Sequence, residues 1–434
     1  KVVKKGKKES AFPGEVEQIT LPSKVVLLLK TDQRLPRCSV NVVFTGGLGV
    51  ESRENNGINN LAVNMLSRGT RKRNKARLTR EIADLAGTID FFSGNNSLGL
   101  KMNILSVDLD KGLELLSDLI LNPVFPKDQI AKEKELILAR IKKADDDNFS
   151  VCYRGLKQIM FKDHPFKMPR IGTRESVKRI TQQALIDFHK KIFTPDNMTL
   201  SVFGDFDRDK VLKQVKKYFG KDFNKAAKKM TDPGQKKYIP DAAEQLKVIN
   251  KVMEREQVIL MFGFPLYDVY SQDRAAFNLV DVSLSGHSSR LFERIREELG
   301  LAYMVGGFEV LGLDKGYYVI YAGVEPAAVD RAKKEIIKQI DLIRKKGLKK
   351  EEITSGRNEI LGSLRMDSES VASQGFNLAL DQAYGLGYDF RYKYEKQVMR
   401  TGPKQIKDVL KKYLDTGDYY LAVTGPEKIF KKAD

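Results

Sequence analysis

Two pairs of side chains carry a spacing that could do chemistry. Asn60 and Asn64 lie in Gly57–Leu66 (GINNLAVNML), where Ile58, Leu61, Ala62, Met65 and Leu66 recur at helical spacing. Four residues apart, the two amides share one helix face, with Val63 between them. Amides offer hydrogen bonds and cannot move a proton, so by themselves residues 57–66 read as an ordinary core helix with two exposed asparagines. The second pair is Arg296 and Tyr303, in residues 283–310 (SLSGHSSRLFERIREELGLAYMVGGFEV). Leu291, Phe292, Ile295 and Leu299 form one apolar helix face, Ser288 or Ser289 suits the N-cap, and Gly300 suits the C-terminal stop. Arg296 then falls in the last helical turn, and Tyr303 at the start of a strand beginning at Leu301. A guanidinium fork matches peptide carbonyls or a carboxylate, and a phenol hydroxyl can support a developing oxyanion. The competing reading is a surface arginine paired with a nearby glutamate, and a core tyrosine with a wet hydroxyl. Arg290 and Arg294 read as helix-surface charges, and Gly306-Gly307 as either a close backbone approach or a bulge.

Little else on the chain invites metal or thiol chemistry. The three histidines, His164, His189 and His287, form no local pair, and Cys38 and Cys152 make neither a disulfide framework nor a metal spacing. The chain has 434 residues, 41% hydrophobic and 31% charged, which suits a globular protein of two or three domains. No apolar run is long enough to cross a membrane as a helix. The net charge of +19 is carried mainly by lysines spread along many helices. It suits a solvated surface, or an acidic partner, acidic substrates or an anionic surface. No nucleic-acid-binding motif accompanies it.

The elements that must position these pairs come in two similar sets. Residues 1–14 read as a flexible basic leader, and the chain begins at Lys1 rather than Met, so we expect a polypeptide processed, truncated or excised from something longer. The first domain, 15–220, is read as strands at 23–30, 37–45, 87–92, 98–106 and 197–203, with helices at 57–66, 78–86, 109–121, 126–145, 153–161, 180–193 and 209–219. Residues 221–241, rich in Lys, Ala, Gly and Pro, read as a linker. The second domain, 242–434, repeats the plan, with strands at 257–264, 317–323 and 419–424 and helices at 275–283, 327–345 and 351–366. Residues 100–128 and 318–351 both run strand, turn, amphipathic helix, break and helix start. Strands and helices do not alternate strictly, which predicts α+β: two tandem homologous domains, each a mixed or antiparallel sheet packed with helices.

The frame around Asn60 and Asn64 resembles the inverted zinc-peptidase helix of the insulinase/pitrilysin (M16) family. In that family the helix follows a Gly-Gly strand end, here Gly46-Gly47, and carries His-x-x-Glu-His before a Met-Leu and a Gly-Thr, here Met65-Leu66 and Gly69-Thr70. By this resemblance Asn60 and Asn64 stand at the two histidine positions and Val63 at that of the catalytic glutamate, which acts as general base on metal-bound water. The family's third ligand is a glutamate on a later helix, in a run Glu-Arg-Glu-x-Val-Ile-x-Glu. Glu133–Arg140 (EKELILAR) is similar to it, with Arg140 in the ligand slot. The stretches HPFKMPRIGT (164–173) and FTPDNMTLSVFGDFD (193–207) are also of the family type. Residues 288–303 resemble its Ser-Ser-Arg-Leu-Phe-x-x-Ile-Arg-Glu-x-x-Gly-Leu-Ala-Tyr pattern, which places Arg296 and Tyr303 on the pair that grips peptide opposite the zinc.

The resemblance covers about residues 15–426 and implies a LuxS/MPP-like metallohydrolase fold. It further implies an M16B-like non-catalytic half or subunit, akin to the alpha subunit of mitochondrial processing peptidase. Such a chain binds no zinc itself, and the zinc belongs to a catalytic M16-type subunit or the other half of a longer chain. It helps hold an unfolded peptide substrate, and the isolated chain is expected to be inactive. The alternative is a non-proteolytic scaffold of the same fold, as in respiratory-complex core proteins. The bacterial periplasm is the expected compartment, with the cytoplasm as the alternative.

Overall fold

The structure is a computed structural model that describes residues 16–220, 247–286 and 289–431. The leader at 1–14, the linker at 221–241, His287 and Ser288 lie outside the described residues. Six strands form the first sheet: β1 (Glu17–Thr20), β2 (Val26–Thr31), β3 (Arg37–Thr45), β4 (Thr88–Ser93), β5 (Ser97–Leu105) and β6 (Met198–Gly204), in the order β1-β2-β6-β3-β5-β4. All neighbours are antiparallel except β2 with β6. The second sheet has β7 (Val248–Val252), β8 (Val258–Leu266), β9 (Ala302–Leu311), β10 (Gly316–Val324) and β11 (Tyr420–Gly425), in the order β7-β11-β8-β10-β9. Here only β7 with β11 is parallel. The second sheet thus repeats the first from β2 onward, strand for strand and sense for sense. The α+β architecture with two similar sheets agrees with the sequence.

Strand alternation separates the residues of each sheet into two layers. On β8, Val258, Leu260, Phe262 and Phe264 face one core, while Ile259 and Met261 face another. The first of these cores is closed by α9 (Arg274–Ser285), α10 (Val329–Lys346) and α14 (Pro403–Tyr413). The second is closed by α5 (Asn148–Met160), which comes from the first half of the chain and brings Cys152, Leu156, Ile159 and Met160. The first sheet is treated in the same way. Its main core holds α1 (Ile58–Met65), α3 (Leu109–Leu121), α4 (Lys127–Asp145), α7 (Gln182–Ile192) and α8 (Arg208–Phe219). Its other face is covered by α12 (Val371–Ala383), from the second half, with Val371 and Leu378 on Leu28 and Phe203.

The two halves therefore each lend a helix to the other's sheet. Under α12 the contact is partly polar: Lys30 Nζ donates to Gln374 Oε1 at 2.6 Å, Asn41 Nδ2 to Ser201 Oγ at 3.1 Å, and Ser201 Oγ to the Gly375 carbonyl at 2.9 Å. Gly375 permits this approach, because a Cβ there would stand 2.8 Å from Asn41 Nδ2. Coverage on both faces explains why β3 (RCSVNVVFT) is buried along nearly its whole length.

Candidate functional site

Helix α1 follows β3 through the Gly46-Gly47 turn. It has no side-chain cap from its own N-cap residue, Gly57, whose φ of 94° is left-handed. Glu51 does that work instead. Its Oε2 accepts from the Gly57 N–H at 2.9 Å and Asn56 Nδ2 at 2.8 Å, and its Oε1 from the Asn59 N–H at 2.9 Å and Asn59 Nδ2 at 2.7 Å. A carboxylate at a helix N-terminus also meets the positive end of the helix dipole. Burial nevertheless pushes the Glu51 carboxyl above its ordinary value, against the lowering effect of the four donors. Asn59 closes the ring by bonding both the N–H and the carbonyl of Gly47. Gly57 itself lies against Gly172, since a Cβ there would stand 2.8 Å from the Gly172 Cα. The connection 164–173 is thus the wall behind the helix.

Sequence reasoning passed over Glu51. The signal was an acidic residue a few positions ahead of a helix that lacks a Ser, Thr or Asp cap of its own.

On α1, Val63 is buried in the core at 1% exposure. Asn60 and Asn64 are half-buried rather than exposed, which corrects the sequence expectation. Their amide nitrogens are shielded from water and have no hydrogen-bond acceptor among the described residues. Helix α4 packs on α1, turning Ile130, Glu133, Ile137 and Ile141 inward. Glu133 is tied to Arg68 at 2.6 Å, just past the C-terminal end of α1. Arg140 is exposed on α4. Two amides, a valine and a guanidinium do not fit a zinc ion: the amides are weak ligands beside imidazole and a fixed cation repels a divalent metal. Among the described residues no three His, Cys, Asp or Glu side chains gather as a metal-holding group.

The second pair sits at the rim of the other sheet. Residues Phe292–Glu298 form a π-helical segment rather than the expected α-helix, with wide-turn bonds such as the Leu299 N–H to the Arg294 carbonyl at 3.2 Å. Leu291 and Ile295 are fully buried, Phe292 and Leu299 pack at the margin of the same core, and Ser289 Oγ accepts from the Phe292 N–H at 3.3 Å. Gly300, at φ 59°, ends the segment.

The three arginines differ. Arg290 makes a two-point pair with Glu352 of α11 (Lys350–Asp367), and Arg294 Nε reaches Glu335 of α10 at 3.0 Å. Both are tethers between helices rather than free surface charges. Arg296 has only a loose contact with Glu297 at 3.7 Å, keeps 44% of its side chain exposed, and lies over the Phe292 ring at 4.9 Å.

Tyr303 occupies a break in the β9–β10 register. Met304 pairs with Gly323 and Ala302 with Val324, so Tyr303 is the extra residue of a β-bulge on the edge strand. A bulge re-aims a side chain. Tyr303 is 38% exposed, and its ring lies over Gly323, where a Cβ would stand 2.7 Å from the hydroxyl. It is not a core tyrosine. Partial burial raises its hydroxyl pKa above the ordinary value. Gly306 and Gly307 prove to make room for the Tyr321 and Tyr318 hydroxyls; the register break lies at Tyr303 instead.

Two successive family models match the chain: insulinase (peptidase family M16) over residues 26–174, and the peptidase M16 inactive domain over residues 179–360. The chain belongs to the peptidase M16 family. An uncharacterized zinc protease of Rickettsia felis is 29% identical over 335 residues, 77% of this chain and 79% of that protein. A Helicobacter pylori protein described as the non-peptidase homolog YmxG is 24% identical over 94% of this chain and 93% of its own. Among solved structures, a peptidase M16 inactive domain from Pseudomonas fluorescens superposes with a TM-score of 0.85 at 20% identity, over 95% of this chain and 98% of that one. A protease from Helicobacter pylori gives the same TM-score at 17% identity, over 95% of this chain and 100% of that one. The M16 fold and an M16 inactive-type domain are therefore present, and Arg296 and Tyr303 both fall within the stretch matched by the inactive-domain model.

Proposed function

We propose that this chain is the non-catalytic half of a two-part M16-type zinc peptidase. It holds and orients an unfolded peptide for a partner half that carries the zinc and the general base, and holds no zinc of its own. Arg296 grips the peptide and Tyr303 hydrogen-bonds near the scissile carbonyl. The observation that carries this reading is the contrast among neighbours. Arg290 and Arg294 are locked to buried or half-buried carboxylates, while Arg296 keeps only a loose ion pair and stays partly exposed over the Phe292 ring, and a bulge turns Tyr303 onto Gly323 with part of its side chain open to solvent. A chain that had abandoned peptide work would have little reason to keep a guanidinium and a phenol so placed. The bacterial periplasm is the compartment we infer, with the cytoplasm second.

The test mixes this chain with the product of the adjacent gene, or uses the longer polypeptide if both halves are joined, and follows cleavage of a quenched peptide library. Activity should appear only in the assembled pair. It should fall by about 10²-fold or more on Arg296→Ala and by about tenfold on Tyr303→Phe, with metal analysis finding zinc in the partner alone. Cleavage or stoichiometric zinc in the isolated chain refutes the proposal. The second reading is a non-proteolytic scaffold of the same fold, favoured by the description of the Helicobacter pylori relative as a non-peptidase homolog. An assembled pair whose activity ignores both substitutions would support it.

A further inference from the structure

Between Arg68 and Arg80, seven of thirteen residues are Lys or Arg and none is Asp or Glu. The first part of this run folds into a tight turn. Gly69 and Asn74 pair as an isolated bridge, the Thr70 N–H donates to the Arg73 carbonyl at 2.8 Å, and Arg71 and Lys72 take the tip. The turn is fastened to the stretch between α3 and α4: the Arg71 N–H donates to the Asn122 carbonyl at 2.9 Å, and the Val124 N–H to the Gly69 carbonyl at 3.1 Å. Helix α2 (Lys75–Asp84) starts directly after it. The acids that this run meets are already spent. Asp118, Glu114 and Glu81 close on buried Arg73 at 2.7, 2.8 and 2.6 Å, Glu81 also takes Arg77, and Glu133 takes Arg68. Arg71, Lys72 and Lys75 are left with no ion-pair partner among the described residues.

These three cations line one groove of about 950 Å³, shared by the turn and the start of α4. Val124, 37% exposed, and Pro126 give it an apolar wall, and Asp128 is its one carboxylate among the described residues. The groove is far larger than an inorganic anion needs, a water molecule's share of liquid volume being about 30 Å³. Among the described residues its lining holds no aromatic ring on which a nucleic-acid base could stack. Asp128 opposes an unbroken row of phosphates, whereas it accepts N–H bonds from a peptide backbone. Guanidinium and ammonium groups beside an apolar wall match carboxylates spaced along a peptide, with an apolar side chain between them. We propose that this groove docks an acidic, extended segment of a partner protein, with carboxylates on Arg71, Lys72 and Lys75 and an apolar side chain against Val124 and Pro126. The net charge of +19 steers such a segment inward. The inference goes beyond the peptidase reading and stands apart from it, since it uses neither Arg296 nor Tyr303.

The experiment uses the full chain and three unstructured, fluorescently labelled peptides, blocked at both ends. The first carries two Glu-Glu pairs around a central Leu, the second has Gln at every Glu, and the third has Ser in place of the Leu. By fluorescence anisotropy the first should bind about tenfold or more tighter than the second and about threefold or more tighter than the third. The preference for Glu should shrink as salt rises, because the ion pairs form at the surface. It should vanish in Arg71→Gln/Lys72→Gln/Lys75→Gln. It should persist in Lys210→Gln/Lys213→Gln/Lys216→Gln, which removes the same charge from exposed lysines of α8. Val124→Ser should erase the preference for Leu over Ser and keep that for Glu over Gln. None of these lysines or Arg71 pairs with an acid of the fold, so circular dichroism should find every variant folded. Equal binding of the Glu and Gln peptides, binding of neither, or an equal loss in the α8 variant overturns the proposal. So does displacement of the Glu peptide by tripolyphosphate or a thymine oligonucleotide at lower concentration than by the unlabelled peptide itself, which would assign the groove to phosphate.

Discussion

Truncating Glu51 should cost more stability than truncating an ordinary surface carboxylate, although it touches nothing apolar. In Glu51→Ala, four donors lose their acceptor: the N–H groups of Gly57 and Asn59 and the side-chain amides of Asn56 and Asn59. A buried donor left alone costs about 1–3 kcal/mol. The four are neighbours and can share an entering water, so their losses do not add in full. The expected destabilisation is about 3–5 kcal/mol, a large share of a typical domain's stability. Glu51→Gln keeps one acceptor oxygen but turns an N–H2 toward donors, and should fall between the two.

The pH dependence adds a second signature. Burial raises the folded-state pKa of Glu51 above its unfolded value. Its contribution is therefore fully present below the unfolded carboxylate range and is lost as pH rises through the folded pKa. Glu51→Gln should flatten the stability profile across that window. With no tryptophan in the chain, far-UV circular dichroism during urea unfolding is the natural probe. A Glu51→Ala protein with an unchanged midpoint and slope would mean that the four bonds do not exist in solution, and the account of how α1 is held would fall with them.

Other expectations concern buried groups. Burial pushes His189 down to about 4 from 6.5, and its Nε2 donates to the Ile120 carbonyl at 2.7 Å. Folding stability should fall as pH drops from about 6.5 toward about 4, and His189→Gln should remove most of that slope in pH-dependent urea titrations. Cys152 is fully buried with its thiol pushed up to about 12, and Cys38 is buried and raised as well. Neither should react with a thiol reagent at pH 8 until the chain is unfolded; rapid reaction of Cys152 in native protein would contradict the packing of α5, and rapid reaction of Cys38 that of β3. Gly375→Val should cost about 1–3 kcal/mol by forcing α12 off Asn41, with faster amide exchange in α12 and β6 as the readout.

Much of this fold could be read from the chain because local signals and tertiary burial agree. The run Arg37–Thr45 became β3 and Leu109–Leu121 became α3 with the boundaries expected. Residues 367–418 received no reading and yet hold α12, α13 (Phe390–Arg400) and α14. The physical reason is clearest for α12. It covers a sheet face that presents Lys30, Asn41 and Ser201, so its own contact face carries Gln374 and Gly375 rather than a stripe of leucines. Val371 and Leu378 alone leave an apolar-periodicity argument little to detect there. At the site, Asn60, Val63 and Asn64 were legible as a helix face, but their half-buried state and the Glu51 clasp depend on chain brought in from elsewhere. The bulge at Tyr303 is a property of pairing with β10, and no spacing within residues 283–310 encodes it.

The exchange of α5 and α12 sets an order of events during synthesis. A ribosome that has finished β6 has released every strand of the first sheet, but the helix that roofs its second face lies more than 160 residues downstream, at Val371–Ala383. Until that segment emerges, Leu28 and Phe203 stand open to water on a half-built layer. Meanwhile α5, already made, waits with Leu156 and Met160 uncovered for strands not yet translated. The nascent chain is thus exposed to aggregation for most of its elongation, and closure of both layers comes almost together near the end. A stop codon that removed only the last quarter of this protein would unroof its first quarter.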